Sequence, residues 1–379
     1  MHFTVLSAIP LPPDISAATS AVPIDNVMDF VTRKLALRSM SAQAPLMSLD
    51  VSPEMILSER WEYLVASMVA GLLEPYNENT TDPAYVEFYD RTEEGRKTYE
   101  YGSIDCVKTP DGRIIPCHSY EFSRLYELHN GKVYRRWFGP LKHRKQTKRS
   151  KQYLALPNYP MRKLSPSFER FMTEYLGCMV QEGTGRYGYY FNPNAEWDWW
   201  QIGGRWPHRF LVKDDCDVTV AGEPSYLFKE PPRRDAPEGY RWVAGARKCD
   251  VAWDVMREFV RSQCTEQFRR YEQWFKAGVI PEENTGMTVL VEDGIVSYGD
   301  YLYHKGEDLE LYLTNLGLSE QNPYPIRTYA FLDANGWCDN GWLTSDPTED
   351  ERQAWYKEVS DFIAKQPDNT LLVSVDCHT

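Results

Sequence analysis

The chain begins and ends on an apolar β run. Residues 2–9, HFTVLSAI, and residues 370–375, TLLVSV, are β-branched or apolar and long enough to cross a sheet. Side chains this apolar are driven out of water, and every buried backbone N–H and C=O must then find a partner. Pairing the two runs in one sheet meets both demands. Between them, tight-turn dipeptides divide β-type stretches: Asp111-Gly112 before RIIPC, Asn130-Gly131 before KVYRRWF, Asp293-Gly294 between TVLV and IVSY, and Asn335-Gly336 between RTYAFL and WCDNGW. Asn-Gly and Asp-Gly tolerate the positive φ of short hairpins. With no regular strand-helix alternation, the pattern predicts an α+β fold, a mostly antiparallel sheet holding both terminal strands, packed by helices and carrying inserted hairpins and loops.

Three segments have helical spacing. Ile56, Trp61, Leu64, Val65, Met68, Val69 and Leu72 make a stripe ending at Glu74-Pro75. A longer stripe runs from Asp250 through Ala252, Met256, Phe259, Val260, Phe268, Tyr271 and Phe275 to Gly278. The last carries Trp355, Val359, Phe362 and Ile363 and stops before Pro367; Asp346 is expected as its N-cap, with Glu349 completing a capping box. Residues 10–53, rich in Pro, Ser and Ala, read as an insertion or a partly mobile loop. The 379 residues are expected to form a single composite domain, 1–379, with insertions over 10–60 and 90–185.

A net charge of −13 argues against a general nucleic-acid coat or adhesion to an anionic membrane, both of which need a cationic face. The longest apolar run, 64–73, falls short of the roughly 18 residues of a membrane span. A start without a basic leader leads us to expect a cytoplasmic protein. Eight cysteines without a C-x-x-C pair suggest neither a disulfide framework nor a zinc knuckle, and no cofactor is expected. Gly183-Thr184-Gly185-Arg186-Tyr187-Gly188 has the letters of a dinucleotide loop, but it leads into an aromatic strand instead of a helix and is rejected.

The densest chemistry lies in residues 189–206, YYFNPNAEWDWWQIGGRW. If this run is extended, Trp197 and Trp199 share one face, and Asp198 and Trp200 the other. Gly203-Gly204 lets the backbone turn or approach a partner closely, and Arg205 offers a planar cation suited to phosphate or carboxylate. Two readings stand together: an aromatic platform beside an anion clamp, built by Trp197, Trp199, Arg205, Trp206 and Asn79, or core tryptophans with Asp198 paired to Arg205. At the other end, Val375-Asp376-Cys377-His378 puts an acid, a thiol and an imidazole on a strand end, though adjacent strand residues face opposite ways, so Cys377 and His378 would not meet. Residues 132–151, KVYRRWFGPLKHRKQTKRSK, form the one strongly basic stretch. Arg144, Lys145, Lys148 and Arg149 there are expected first as a solvated loop, and otherwise suit an acidic protein or, less readily, single-stranded nucleic acid.

MHFTVL, LEPYNEN (73–79), NPNAEWDWWQIGGRW (192–206), GARKCDVAWDVM (245–256) and the end TYAFLDANGW…GW…PDNTLLVSVDCHT together resemble an uncharacterised family of phages, prophages and their bacterial hosts. The blocks cover about half of the chain. The resemblance implies a mobile-element setting in a bacterial host cell, and Glu78, Asn79, Trp197, Asp198, Gly203, Gly204, Arg205, Trp206, Asp376 and His378 fall in its motifs. Two functions are expected to compete. One is a binding or inhibitor protein that captures a small, nucleotide-like anion or blocks a host protein through the aromatic and Arg205 surface. The other is a hydrolase or nuclease, open to assistance by a divalent metal, in which Asp198, Glu78, Asp376 and His378 converge on one point.

Overall fold

The two terminal runs pair antiparallel along their whole length, with His2 opposite His378 and Ile9 opposite Leu371. The structure, a computed structural model, describes residues 1–42, 53–136, 152–224, 234–277, 288–291, 294–297, 307–320, 322–342 and 347–379. By contacts the chain divides into two compact units, Met1–Glu78 with Asn194–Thr379, and Asn79–Pro193. The expected insertion over 90–185 falls inside the second unit.

The first unit holds an eight-stranded mixed sheet built from β1 (His2–Ile9), β2 (Trp199–Gly204), β3 (Thr219–Val220), β4 (Glu223–Pro224), β5 (Gly245–Arg247), β6 (Ala330–Asp333), β7 (Gly336–Asp339) and β8 (Leu371–His378). β8 is central. One of its edges pairs with β1; the other is shared, with β2 along Val375 to His378 and β5 along Leu371 to Val373. Only β1 with β6 and β2 with β4 run parallel. Among the described residues six α-helices accompany the sheet: α1 (Ile15–Ser20), α2 (Ile24–Ala42), α3 (Pro53–Leu73), α4 (Trp253–Ala277), α5 (Leu309–Asn315) and α6 (Glu349–Lys365).

Alternation along β1 and β8 divides the core in two. Phe3, Val5, Val373, Val375 and Cys377 pack with Val65, Val69 and Leu73 of α3 on one face. Leu6, Ala8 and Leu372 pack with Met256 of α4 and with Trp355, Val359, Phe362 and Ile363 of α6 on the other. Each such fully buried side chain contributes roughly 1.5–3 kcal/mol, so the sheet is held mainly by burial on both faces.

Two sequence expectations change here. Residues 10–53 are not simply a loop: α1 and α2 occupy much of the segment, the former capped by Asp14 Oδ1 accepting from the Ala17 N–H at 2.8 Å. Val27 and Val31, one helical turn apart, are buried with Val22 against Tyr63 and Leu64 of α3. The alanines that made the segment look featureless are helix formers. The capping box of α6 uses Thr348 and Glu351, two residues beyond the expected Asp346 and Glu349; Asp346 lies outside the described residues.

In the second unit the predicted turns at Asp111-Gly112 and Asn130-Gly131 connect antiparallel strands, Ser103–Lys108 with Ile114–Pro116 and Tyr126–His129 with Lys132–Arg135. Asn130 and Gly131 both take positive φ, 50° and 68°. Another sheet joins Glu87–Asp90, Tyr187–Phe191 and Met179–Val180. The glycine-rich motif enters the strand Tyr187–Phe191, as its rejection as a phosphate loop required.

Candidate functional site

The register of β1 against β8 places two imidazoles directly opposite one another. Side chains of an antiparallel pair that face each other lie within about 5.5 Å at Cβ, and the rings of His2 and His378 meet edge to face with centroids 4.9 Å apart. Each ring is held by a carboxylate. His2 Nδ1 lies 2.9 Å from Asp376 Oδ1, two residues before His378 on the same face of β8. His378 Nδ1 lies 2.8 Å from Asp198 Oδ1, at the entry to β2. A carboxylate accepts, so in both rings Nδ1 carries the proton and Nε2 keeps its lone pair. Neither Nε2 bonds a described residue. Asp376 is fully buried, whereas the side chains of His2, His378 and Asp198 retain 18%, 38% and 36% exposure. The backbone repeats the connection: the Asp198 N–H donates to the His378 carbonyl at 2.9 Å.

Gly203-Gly204 is explained by this arrangement. Both residues adopt positive φ, 79° and 52°. The second Asp376 oxygen, Oδ2, accepts the Arg205 N–H at 2.9 Å, which brings β2 so close that a Cβ on Gly204 would sit 2.4 Å from Asp376 Cβ and Oδ2. Asp376 therefore ties His2 to the turn that presents Arg205. The expected Asp198–Arg205 pair is not made, because Asp198 belongs to His378 and the Arg205 side chain is exposed.

The tryptophans separate. Trp197 is 6% exposed and its Nε1 donates to the Leu73 carbonyl at 3.0 Å, so it is a core residue and not part of a ligand surface. Trp200 packs in the same cluster as Trp197, contrary to strict alternation, because the strand begins only at Trp199. Trp199 lies 5.8 Å, edge to face, from the His2 ring. With Trp200 it also lines a cavity of about 220 Å³ whose other walls include Phe30, Arg33, Lys34 and Glu62. There burial pushes the Glu62 carboxyl up to about 6, against the Ala221 N–H and the Lys34 charge. Burial opposes the Lys34 charge too, but hydrogen bonds to Glu59 and Glu223 and the charges of both acids together outweigh it and raise its pKa. A larger cleft of about 540 Å³ beside α5 and α6 shares no lining residue with the histidines or this cavity and gathers no comparable acid–base group.

The remaining expected residues do not converge in the same way. Glu78 is exposed and its backbone N–H donates to the Trp197 carbonyl at 2.8 Å. Asn79 opens the second unit. Trp206 is half-buried, its N–H on the Gly203 carbonyl at 2.8 Å. Cys377 is buried on the face opposite His378, and burial pushes its thiol well above the usual range. Arg144, Lys145, Lys148 and Arg149 lie outside the described residues. Among the described residues no group of three or more His, Cys, Asp or Glu side chains is placed to hold a metal ion. No helix among them is long and apolar enough to cross a membrane. His2 was missed from sequence, although pairing the terminal strands end to end would have put it opposite His378.

Comparison with protein-family models, curated proteins and solved structures returns no match.

Proposed function

We propose that the protein is a hydrolase of a small anionic ester, of the phosphodiester or nucleotide class, in which His2 and His378 act as an acid–base pair. The observation that carries this reading is the ring contact of two histidines, each with Nδ1 on its own aspartate. In this scheme one Nε2 takes the proton from the attacking water while the other, protonated, delivers one to the leaving oxygen. Asp376 and Asp198 fix ring tautomer and direction, Trp199 borders the histidines and the cavity, and Arg205 neutralises substrate charge from the surface. The alternative among the sequence expectations is thereby favoured, with His2 in the place foreseen for Glu78 and no step that needs a metal.

The test is hydrolysis of bis(4-nitrophenyl) phosphate, 4-nitrophenyl phosphate and 4-nitrophenyl acetate by wild type and by His2→Gln and His378→Gln. We expect turnover of a phosphate ester that falls by about 10²–10⁴-fold in either variant. Absence of turnover, or equal rates in all three proteins, overturns the assignment. A second reading, capture without turnover, draws on the aromatic cavity beside Trp199; it predicts that a nucleotide is bound and recovered unchanged. The resemblance to phage and prophage proteins supports a bacterial cytoplasmic setting and, under the second reading, a host protein as target. The basic stretch around Arg144 and Lys148 would be the contact for such a partner.

A further inference from the structure

Away from the histidines, three arginines gather at the margin of the core formed with α4 and α6. Arg209 immediately precedes the strand Phe210–Lys213, and its N–H donates to the Val243 carbonyl at 3.0 Å. Arg234 lies with its guanidinium 3.7 Å over the Trp242 ring while its Nη1 donates to the His208 carbonyl at 2.9 Å. Arg327 follows Ile326, which shares a hydrophobic cluster with Phe210, Trp242 and Val243. α4 closes the group: burial raises the Cys264 thiol pKa, while the charges of Arg327 and Arg234 pull it back.

A guanidinium removed from water needs a countercharge and acceptors for its five N–H groups. Arg247 with Asp250 and Arg261 with Glu310 have such a countercharge. None of these three makes an ion pair with a described residue. Arg209 Nη2 is enclosed and without a hydrogen-bond partner. Burial, with the charges of Arg327 and Arg234 pressing on it, lowers the Arg209 pKa to about 9. Burial likewise takes Arg234 down to about 10. Both remain cations at neutral pH, so among the described residues the cluster concentrates like charge with no acid paired to it.

We infer that Arg209, Arg234 and Arg327 form a binding site for a phosphate-type oxyanion, separate from the histidine pair. The fork of Arg209, with an enclosed N–H still unspent, supplies the directed donor. Arg234, immobilised on Trp242, and the exposed Arg327 supply further charge. A tetrahedral dianion matches several guanidiniums better than a single carboxylate, and the partial exposure of Arg327 leaves a route of entry.

The test is titration of the full chain with inorganic phosphate, read by calorimetry and by thermal melting against sodium chloride at equal ionic strength. We expect saturable binding and a melting temperature raised by phosphate but not by chloride. Arg209→Met and Arg327→Ala should each weaken binding by about tenfold or more, the cost of a lost charge-assisted hydrogen bond. Arg327→Ala alters an exposed side chain, so it keeps the test decisive if Arg209→Met fails to fold. No saturable binding at millimolar phosphate, or equal affinity in wild type and Arg327→Ala, overturns the site. A gain in stability for Arg209→Met that is the same with and without phosphate would show an uncompensated buried charge and overturn it equally.

Discussion

Gly204→Ala tests whether Asp376 is the member that joins the histidine pair to the turn at Arg205. The added methyl meets Asp376 Cβ and Oδ2 at 2.4 Å, a separation atoms cannot hold, and the residue sits at φ 52°. A non-glycine residue in this left-handed region costs about 1–2 kcal/mol. Moving Asp376 aside also breaks the bonds to His2 Nδ1 and the Arg205 N–H, each with a charged acceptor and worth about 1.5–3 kcal/mol. The sum is at least about 4 kcal/mol, a large part of the roughly 5–15 kcal/mol that holds a domain. Gly239→Ala is the control, because Gly239 has φ 79° with nothing within 4 Å of an added Cβ and should show only the backbone cost of about 1–2 kcal/mol. Urea unfolding followed by circular dichroism measures both. If Gly204→Ala is no more destabilising than Gly239→Ala, then Asp376 does not carry the connection.

Arg205→Ala should change unfolding free energy by less than about 0.5 kcal/mol, since the side chain is exposed and its anchoring N–H survives, while turnover of an anionic ester falls; a collapsed melting temperature would show a structural role instead. Glu62 holds its proton to about 6 in the folded state against 4.5 as its ordinary value, so the folded state binds more protons between these values. Its contribution is complete below pH 4.5 and is lost as pH rises through 6, by at most about 2 kcal/mol. Glu62→Gln should flatten that part of the stability profile, and identical profiles for the two proteins refute the argument. Thr348→Ala removes the reciprocal cap with Glu351 and should cost about 1 kcal/mol in thermal unfolding; no measurable loss would mean that packing alone sets the start of α6.

Local pattern was enough for the elements whose cause is local. The apolar terminal runs, the helical stripes of α3, α4 and α6, and the turns at Asp111-Gly112, Asn130-Gly131 and Asn335-Gly336 each state their structure within a few residues, and the α+β class follows from their order, while Asp293 lies outside the described residues. Even where pattern misled, as in the helices of residues 10–53, the missed signals of Asp14 as cap and Val27 with Val31 one turn apart were present in the sequence. The candidate site was legible only as fragments. Asp198, Arg205, Asp376 and His378 stand out as letters, but their partnerships do not. Tertiary structure decided that Asp198 holds His378 instead of Arg205, that Trp197 is core, and that Asp376 receives both His2 and the backbone of Arg205. The reason is physical: these contacts join residues 124 to 374 positions apart, and strand register, which a shift of one residue would reverse, chooses the facing side chains. Arg209, Arg234 and Arg327 carry no shared motif at all. Only the packing of a strand start, a tryptophan ring, α4 and the segment after Ile326 gathers their charges in one place.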